Sequence, residues 1–219
     1  MNVETLTGLL LKSRYRNRLV TPEIINRLLT GSSARQWGLV NRALKSGELI
    51  KLKRGLYLLS STVTGADISR FRIANRMVPE SYISQETALG HYGWLLEEPL
   101  LTQSCIGQGR SREHHNIFGE FSYERISVST DNFLKGVNRV PFSGVPVLIA
   151  SQERALGDAI SRRGLEWQGI VGICEQLRTD VANIYGLDLQ VLRELSGIYR
   201  YRKTNAFLSN LVQALGGGR

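Results

Sequence analysis

Helix and turn signals follow one another so closely in the first sixty residues that few folds accommodate them. Val3, Leu6 and Leu10 recur at helical spacing after Asn2, which predicts a first helix. Thr21 caps a second, with Pro22 at its first position, Ile24, Ile25, Leu28 and Leu29 as its apolar residues and Gly31 as its stop. Ser33 with Gln36 forms a capping-box pattern that opens a third helix ending near Lys45, with Gly47 beyond it. Residues 49–59 then give two short strand-like runs joined through Lys53, Arg54 and Gly55, where glycine supplies a positive φ. Helix, helix, helix and hairpin is the order of a winged helix-turn-helix.

Charge falls on the same segment. Residues 1–60 contain eleven Lys and Arg against three acids, a net +8 out of +9 for the chain. A field so lopsided suits phosphate contact by one small module, because each neutralised phosphate releases counterions. On the third helix, 100° per residue groups Trp37, Val40 and Leu44 as the core side and sets Arg35, Gly38, Leu39 and Arg42 opposite, as a groove-reading face. Arginine pairs with guanine O6 and N7, and Gly38 lets the helix backbone come close to DNA. Lys45, near the end of the helix, is a further candidate DNA-binding residue, and Lys51, Lys53 and Arg54 fit a wing on the phosphate backbone. Arg16 and Arg18, between the first two helices, add candidate phosphate contacts.

A small polar stretch, residues 60–65, follows and divides residues 1–62 from a second domain, 66–219. Beyond it the patterns predict a helix from Asp67 to about Met77, a strand at 82–84, a helix at 85–92 and a strand at 101–106. A loop bearing Gly, Arg and His comes next, then strands near 121–128 and 145–149 and a helix capped by Ser151. Helices at about 168–179, 188–196 and 204–215 end the chain. The expected class is α+β: an N-terminal winged helix-turn-helix followed by a mixed α/β C-terminal domain with a helical end. At 219 residues and 42% hydrophobic content there is enough apolar surface for a real core, and no apolar run approaches a membrane span. Cys105 and Cys174 lack partners at metal-ligand spacing and read as buried, reduced thiols of a cytoplasmic protein.

Three segments together resemble a family. Residues 47–59, with Gly47-Glu48-Leu49 leading to Arg54-Gly55-Leu56-Tyr57, look like the wing of the AbiEi antitoxins of abortive-infection toxin–antitoxin systems. Residues 82–93, YISQETALGHYG, are similar to that family's Y-I-S-x-E-x-A-L-x-x-x-G segment, and 147–158, VLIASQERALGD, to its I-A-x-x-E-x-A-L-x-D segment. Gln152 stands where the family often has Pro, and Gly157 where a second Leu is usual. The resemblance spans roughly residues 10–165. It implies a DNA-binding antitoxin for phage defence that represses its own operon at a double-stranded operator, expected to carry inverted repeats. It also implies a C-terminal domain that counteracts a nucleotidyltransferase-like toxin, functionally or by direct contact. A stand-alone transcriptional regulator with a ligand-binding or oligomerisation domain remains the alternative.

Catalysis is not expected. Glu86, Glu153 and Asp158 match acidic positions of the family, yet Glu153 suits the positive end of its helix and Asp158 can pair with Arg162 at i,i+4. Adjacent His114 and His115 point in different directions on regular backbone, and Gly107-Gln108-Gly109-Arg110 lacks the Lys-Ser/Thr of a P-loop. His91 reads as a core or rim residue, and Ser143-Gly144 lacks the setting of a nucleophile elbow. No metal, no cofactor and no membrane partner are therefore expected.

Overall fold

The computed structural model describes residues 5–15, 19–65, 68–97, 99–142 and 144–217. Three helices come first: α1 (Leu6–Lys12), α2 (Pro22–Leu28) and α3 (Ser33–Lys45). Thr5 caps α1 through its side chain, whereas the expected start at Asn2 and the apolar Val3 lie outside the described residues. The α2 helix starts at Pro22 as its sequence dictates, with Thr21 at the cap position but making no side-chain cap hydrogen bond, and stops at Leu29, which turns extended before Gly31 is reached. On α3 the cap is Ser32, one residue earlier than the capping box implies: its hydroxyl accepts from the Arg35 N–H. Gln36 instead donates its amide backward to the Leu29 and Gly31 carbonyls and so ties α3 to the end of α2.

Strands β1 (Leu49–Lys53) and β2 (Leu56–Leu59) pair antiparallel across the Arg54-Gly55 turn, where Gly55 sits at φ 71°. Val20 and Tyr57 exchange two backbone hydrogen bonds, of 2.8 and 2.9 Å, which lay the segment before α2 along the hairpin. All four residues of β2 are buried, because the strand has a core on each side. Tyr57 and Leu59 join Leu6, Leu10, Ile25, Val40 and Leu49 beneath the three helices. Leu56 and Leu58, with Leu52 from β1, belong to the core of the rest of the chain. Full burial of a leucine contributes about 1.5–3 kcal/mol, so these three residues join the two cores firmly.

A four-residue helix, α4 (Ser61–Thr64), occupies the stretch expected to be a linker. Then come α5 (Arg70–Met77), β3 (Tyr82–Ile83), α6 (Gln85–His91), β4 (Leu101–Ile106), β5 (Arg112–Asn116) and β6 (Gly119–Arg125). After a 3-10 turn at Thr130–Asn132, β7 (Val137–Phe142) and β8 (Val145–Ala150) complete one six-stranded mixed sheet, in the order β5-β6-β4-β3-β8-β7. Two strands depart from expectation. The histidine-bearing segment is the edge strand β5, pairing His114 with Phe121 and His115 with Glu120. Strand β7 is the other edge; with no fully buried residue and with Asn138, Arg139 and Pro141 exposed, it leaves only a weak apolar signal.

Helix α5 covers one face of the sheet, where the Tyr123 hydroxyl donates to the Ala74 carbonyl at 2.9 Å. On the opposite face α6 and α7 (Gln152–Arg163) lie against β3 and β4, and α7 is capped by Ser151 as its sequence predicts. Helices α8 (Gly169–Leu177), α9 (Val181–Tyr185), α10 (Leu189–Leu195) and α11 (Arg202–Gly216) form the helical end. Helix α9 has too few residues to show a period. The fold is thus of mixed α+β class.

Candidate nucleic-acid interface

The buried side of α3 is rotated from the one its sequence implies. Val40 and Ala43 are buried and Gln36 half-buried, while Trp37 is 48% exposed. The largest apolar residue is therefore not the anchor of this helix; small Ala43 allows the close approach and the Gln36 amide fixes it. Leu39, expected on the groove side, is half-buried against the helical core. Arg35, Arg42 and Lys45 are exposed, and Gly38 is open enough that a Cβ built there meets nothing within 4 Å. Rotation also brings Asn41, which the sequence reading missed, to the middle of the exposed face beside Gly38 and Lys45. Asparagine is a bidentate reader of adenine, so the face offers two kinds of base contact.

The hairpin divides its basic residues. Lys51 is exposed on β1 and Arg54 is exposed in the turn. Lys53 differs from expectation: a register irregularity follows Lys51, and the Lys53 Nζ donates to the Met77 carbonyl at the end of α5. Burial, then the charge of Arg112, lowers its pKa. The hairpin's neighbour on this side is β5, whose Asn116 amide donates to the Leu52 carbonyl at 3.4 Å. Arg16 and Arg18 lie outside the described residues. Nearby Arg14 lies 5.3 Å from the centre of the Tyr15 ring, and its hydrogen bond to the phenol is the main cause of a lowered Tyr15 pKa.

The acids of the second half build structure. Asp158 does not pair with Arg162, which meets Glu124 instead. Its partner is Arg154, one turn earlier, with Nε donating to Oδ1 at 2.9 Å and both side chains fully buried. Tyr82 and Ser84 donate to Oδ2 at 2.8 and 2.7 Å, and Tyr199 to Oδ1 at 2.8 Å. The remaining Arg154 donors reach the Asn132 and Lys135 carbonyls and the Tyr82 hydroxyl. A buried pair this fully bonded defines one geometry rather than offering a reactive group. Glu153 accepts from the Asp188 N–H at 3.0 Å, and Glu86 pairs with Arg163. Gln152, where the resembled family has Pro, accepts from the Trp94 indole at 2.8 Å.

The histidines are dispersed. His114 stacks edge-on with Tyr123 on the hairpin side of β5, and His115 lies 3.5 Å from Glu120 on the other. His91 lies among Phe71, Tyr92 and Phe142 at the protein surface. Among the described residues no three His, Cys, Asp or Glu side chains converge as metal ligands, and no helix is long and apolar enough to cross a membrane. Ser143 lies outside the described residues. Compared with known proteins, the chain matches no family model and no curated sequence.

Proposed function

We propose that the chain is a DNA-binding antitoxin of the AbiEi type: residues 1–62 act as a winged helix-turn-helix that represses its own operon, and residues 66–219 counteract a nucleotidyltransferase-like toxin. The single observation that carries the DNA-binding part is the exposed face of α3, where Arg35, Asn41, Arg42 and Lys45 are all exposed, as are Lys51 and Arg54 on the hairpin. A helix in the major groove needs side chains that reach base edges, and a neighbouring hairpin holds its register through phosphates. The antitoxin part rests on the resemblance of residues 82–93 and 147–158.

Binding of the full chain to the DNA upstream of its own gene tests the first part. Arg35→Ala and Arg42→Ala should each weaken binding to that site by about 1–3 kcal/mol and leave binding to scrambled DNA nearly unchanged. Equal loss on both DNAs would make them phosphate contacts and remove the reading face. Co-expression with a nucleotidyltransferase-fold product encoded beside it tests the second part: rescue of growth should require the second half of the chain.

One observation favours the alternative, a stand-alone regulator. A cleft of about 450 Å³ lies between the helical half and the sheet, lined by Tyr15, Leu19, Leu58, Ile73 and Arg76 among others. That volume lies within the range of small-molecule sites. DNA binding without growth rescue would favour it.

A further inference from the structure

A second surface, distant in sequence from the basic segment, has the opposite character. The stretch Gly93, Trp94, Leu95 and Leu96 and helix α8 wall a groove of about 490 Å³. Val171, Cys174 and Glu175 line it from one stripe of α8. Leu96 is completely exposed and Val171 is 68% exposed, an arrangement that leaves apolar surface in water without a covering element among the described residues. The groove is braced: Thr179 donates to the Trp94 carbonyl at 2.9 Å, Asn183 donates to Thr179 at 2.9 Å, and the Trp94 indole is fixed by Gln152.

Its charge singles out the occupant. Glu175 and Asp180 line the groove and Glu97 follows Leu96, against Arg178 as the base among the described lining residues. Residues 164–190 as a whole contain four acids and one base, in a chain whose net charge is +9. Between a helix and a loop braced by side chains there is no open strand edge to extend, so the matching element is a helix held by its side chains. We propose that this groove docks an amphipathic helix of another protein, with an apolar stripe flanked by Lys and Arg. The apolar stripe covers Leu96 and Val171, and the basic flanks meet Glu97, Glu175 and Asp180. This partner site is independent of the DNA-binding face.

Cys174 provides the readout, because it lines the groove half-exposed while Cys105, the other cysteine, is fully buried. The full chain is alkylated in the presence of a synthetic amphipathic Leu/Lys helix of about 18 residues. A Leu/Glu counterpart and a scrambled Leu/Lys peptide serve as comparisons. The Leu/Lys helix should slow Cys174 modification and the other two should not. Leu96→Ser combined with Val171→Ser should weaken protection by roughly tenfold or more. Glu175→Lys should shift the preference toward the Leu/Glu helix. Equal protection by all three peptides, or by none, overturns the proposal. Protection that rises with the chain's own concentration in the absence of peptide also overturns it, by making a second copy the occupant.

Discussion

The Tyr199 hydroxyl reaches Asp158 Oδ1 at 2.8 Å only because residue 157 has no side chain: a Cβ there would lie 2.5 Å from the Tyr199 hydroxyl oxygen. Gly157 is thus a contact surface for the Tyr199 ring within α7, and Ala in its place must displace the ring from the Arg154–Asp158 pair. Gly157→Ala should lower stability by about 1–3 kcal/mol through overpacking. In a Tyr199→Phe background the added loss should shrink, since the closest atom is gone. Urea denaturation of the four proteins measures the coupling, and strictly additive losses would count against the contact.

Trp37 gives a sharper contrast. With 48% of its surface exposed, Trp37→Ala should change stability by less than about 1 kcal/mol, whereas Leu10→Ala, at a fully buried position, should lose about 2–5 kcal/mol. Thermal melting followed by circular dichroism distinguishes them. A large loss at Trp37 would return it to the core.

Salt dependence separates the hairpin's lysines. Replacing Lys51 and Arg54 with Ala should flatten the log–log salt slope of DNA binding by about two units, as expected for two lost phosphate contacts. Lys53→Ala should leave that slope unchanged and reduce thermal stability instead, because its ammonium is spent on the Met77 carbonyl. Binding titrations over a range of salt concentrations supply the comparison.

His114 sets a pH dependence. Burial, followed by the charges of Lys53, Arg112 and His115, lowers its pKa from the ordinary 6.5. The unfolded chain therefore takes up this proton at a higher pH than the folded one does. The contribution is fully present above the unfolded value. It is lost as pH falls from about 6.5 toward the lowered folded value. His114→Gln should remove this part of the slope, so the melting temperature of the parent should fall relative to that of the variant as the pH falls from about 7.5 to 5. Parallel curves would show that the histidine does not titrate differently in the two states.

Most of the architecture was readable because its signals are local. Pro22, Ser151 and the alternating or continuous apolar runs of β4 and β8 act through their own backbone, and those elements lie where expected. Local pattern and structure part where distant residues decide. The phase of α3 is set by Gln36 reaching the end of α2 and by the small Ala43, neither of which stands out as a core residue. Asp158 has two arginines at i,i±4, and only the buried ring of Tyr82 and Tyr199 selects Arg154. Lys53 looked like a wing residue because its carbonyl partner lies 24 residues further along the chain. Asn41 was reachable from the sequence once the helix phase was right.

The twofold burial of β2 bears on how such a chain can change over generations. A recognition module that hung on a tether could be exchanged by recombination, with only its tether to match. Here alternate residues of one short strand answer to different neighbours, Tyr57 and Leu59 to the helices and Leu56 and Leu58 to the sheet side. A transplanted helical half would carry the wrong lining into the remaining half. On the proposed DNA-binding reading, new sequence preferences are therefore more accessible by point substitution on the outer face of α3 than by shuffling whole modules.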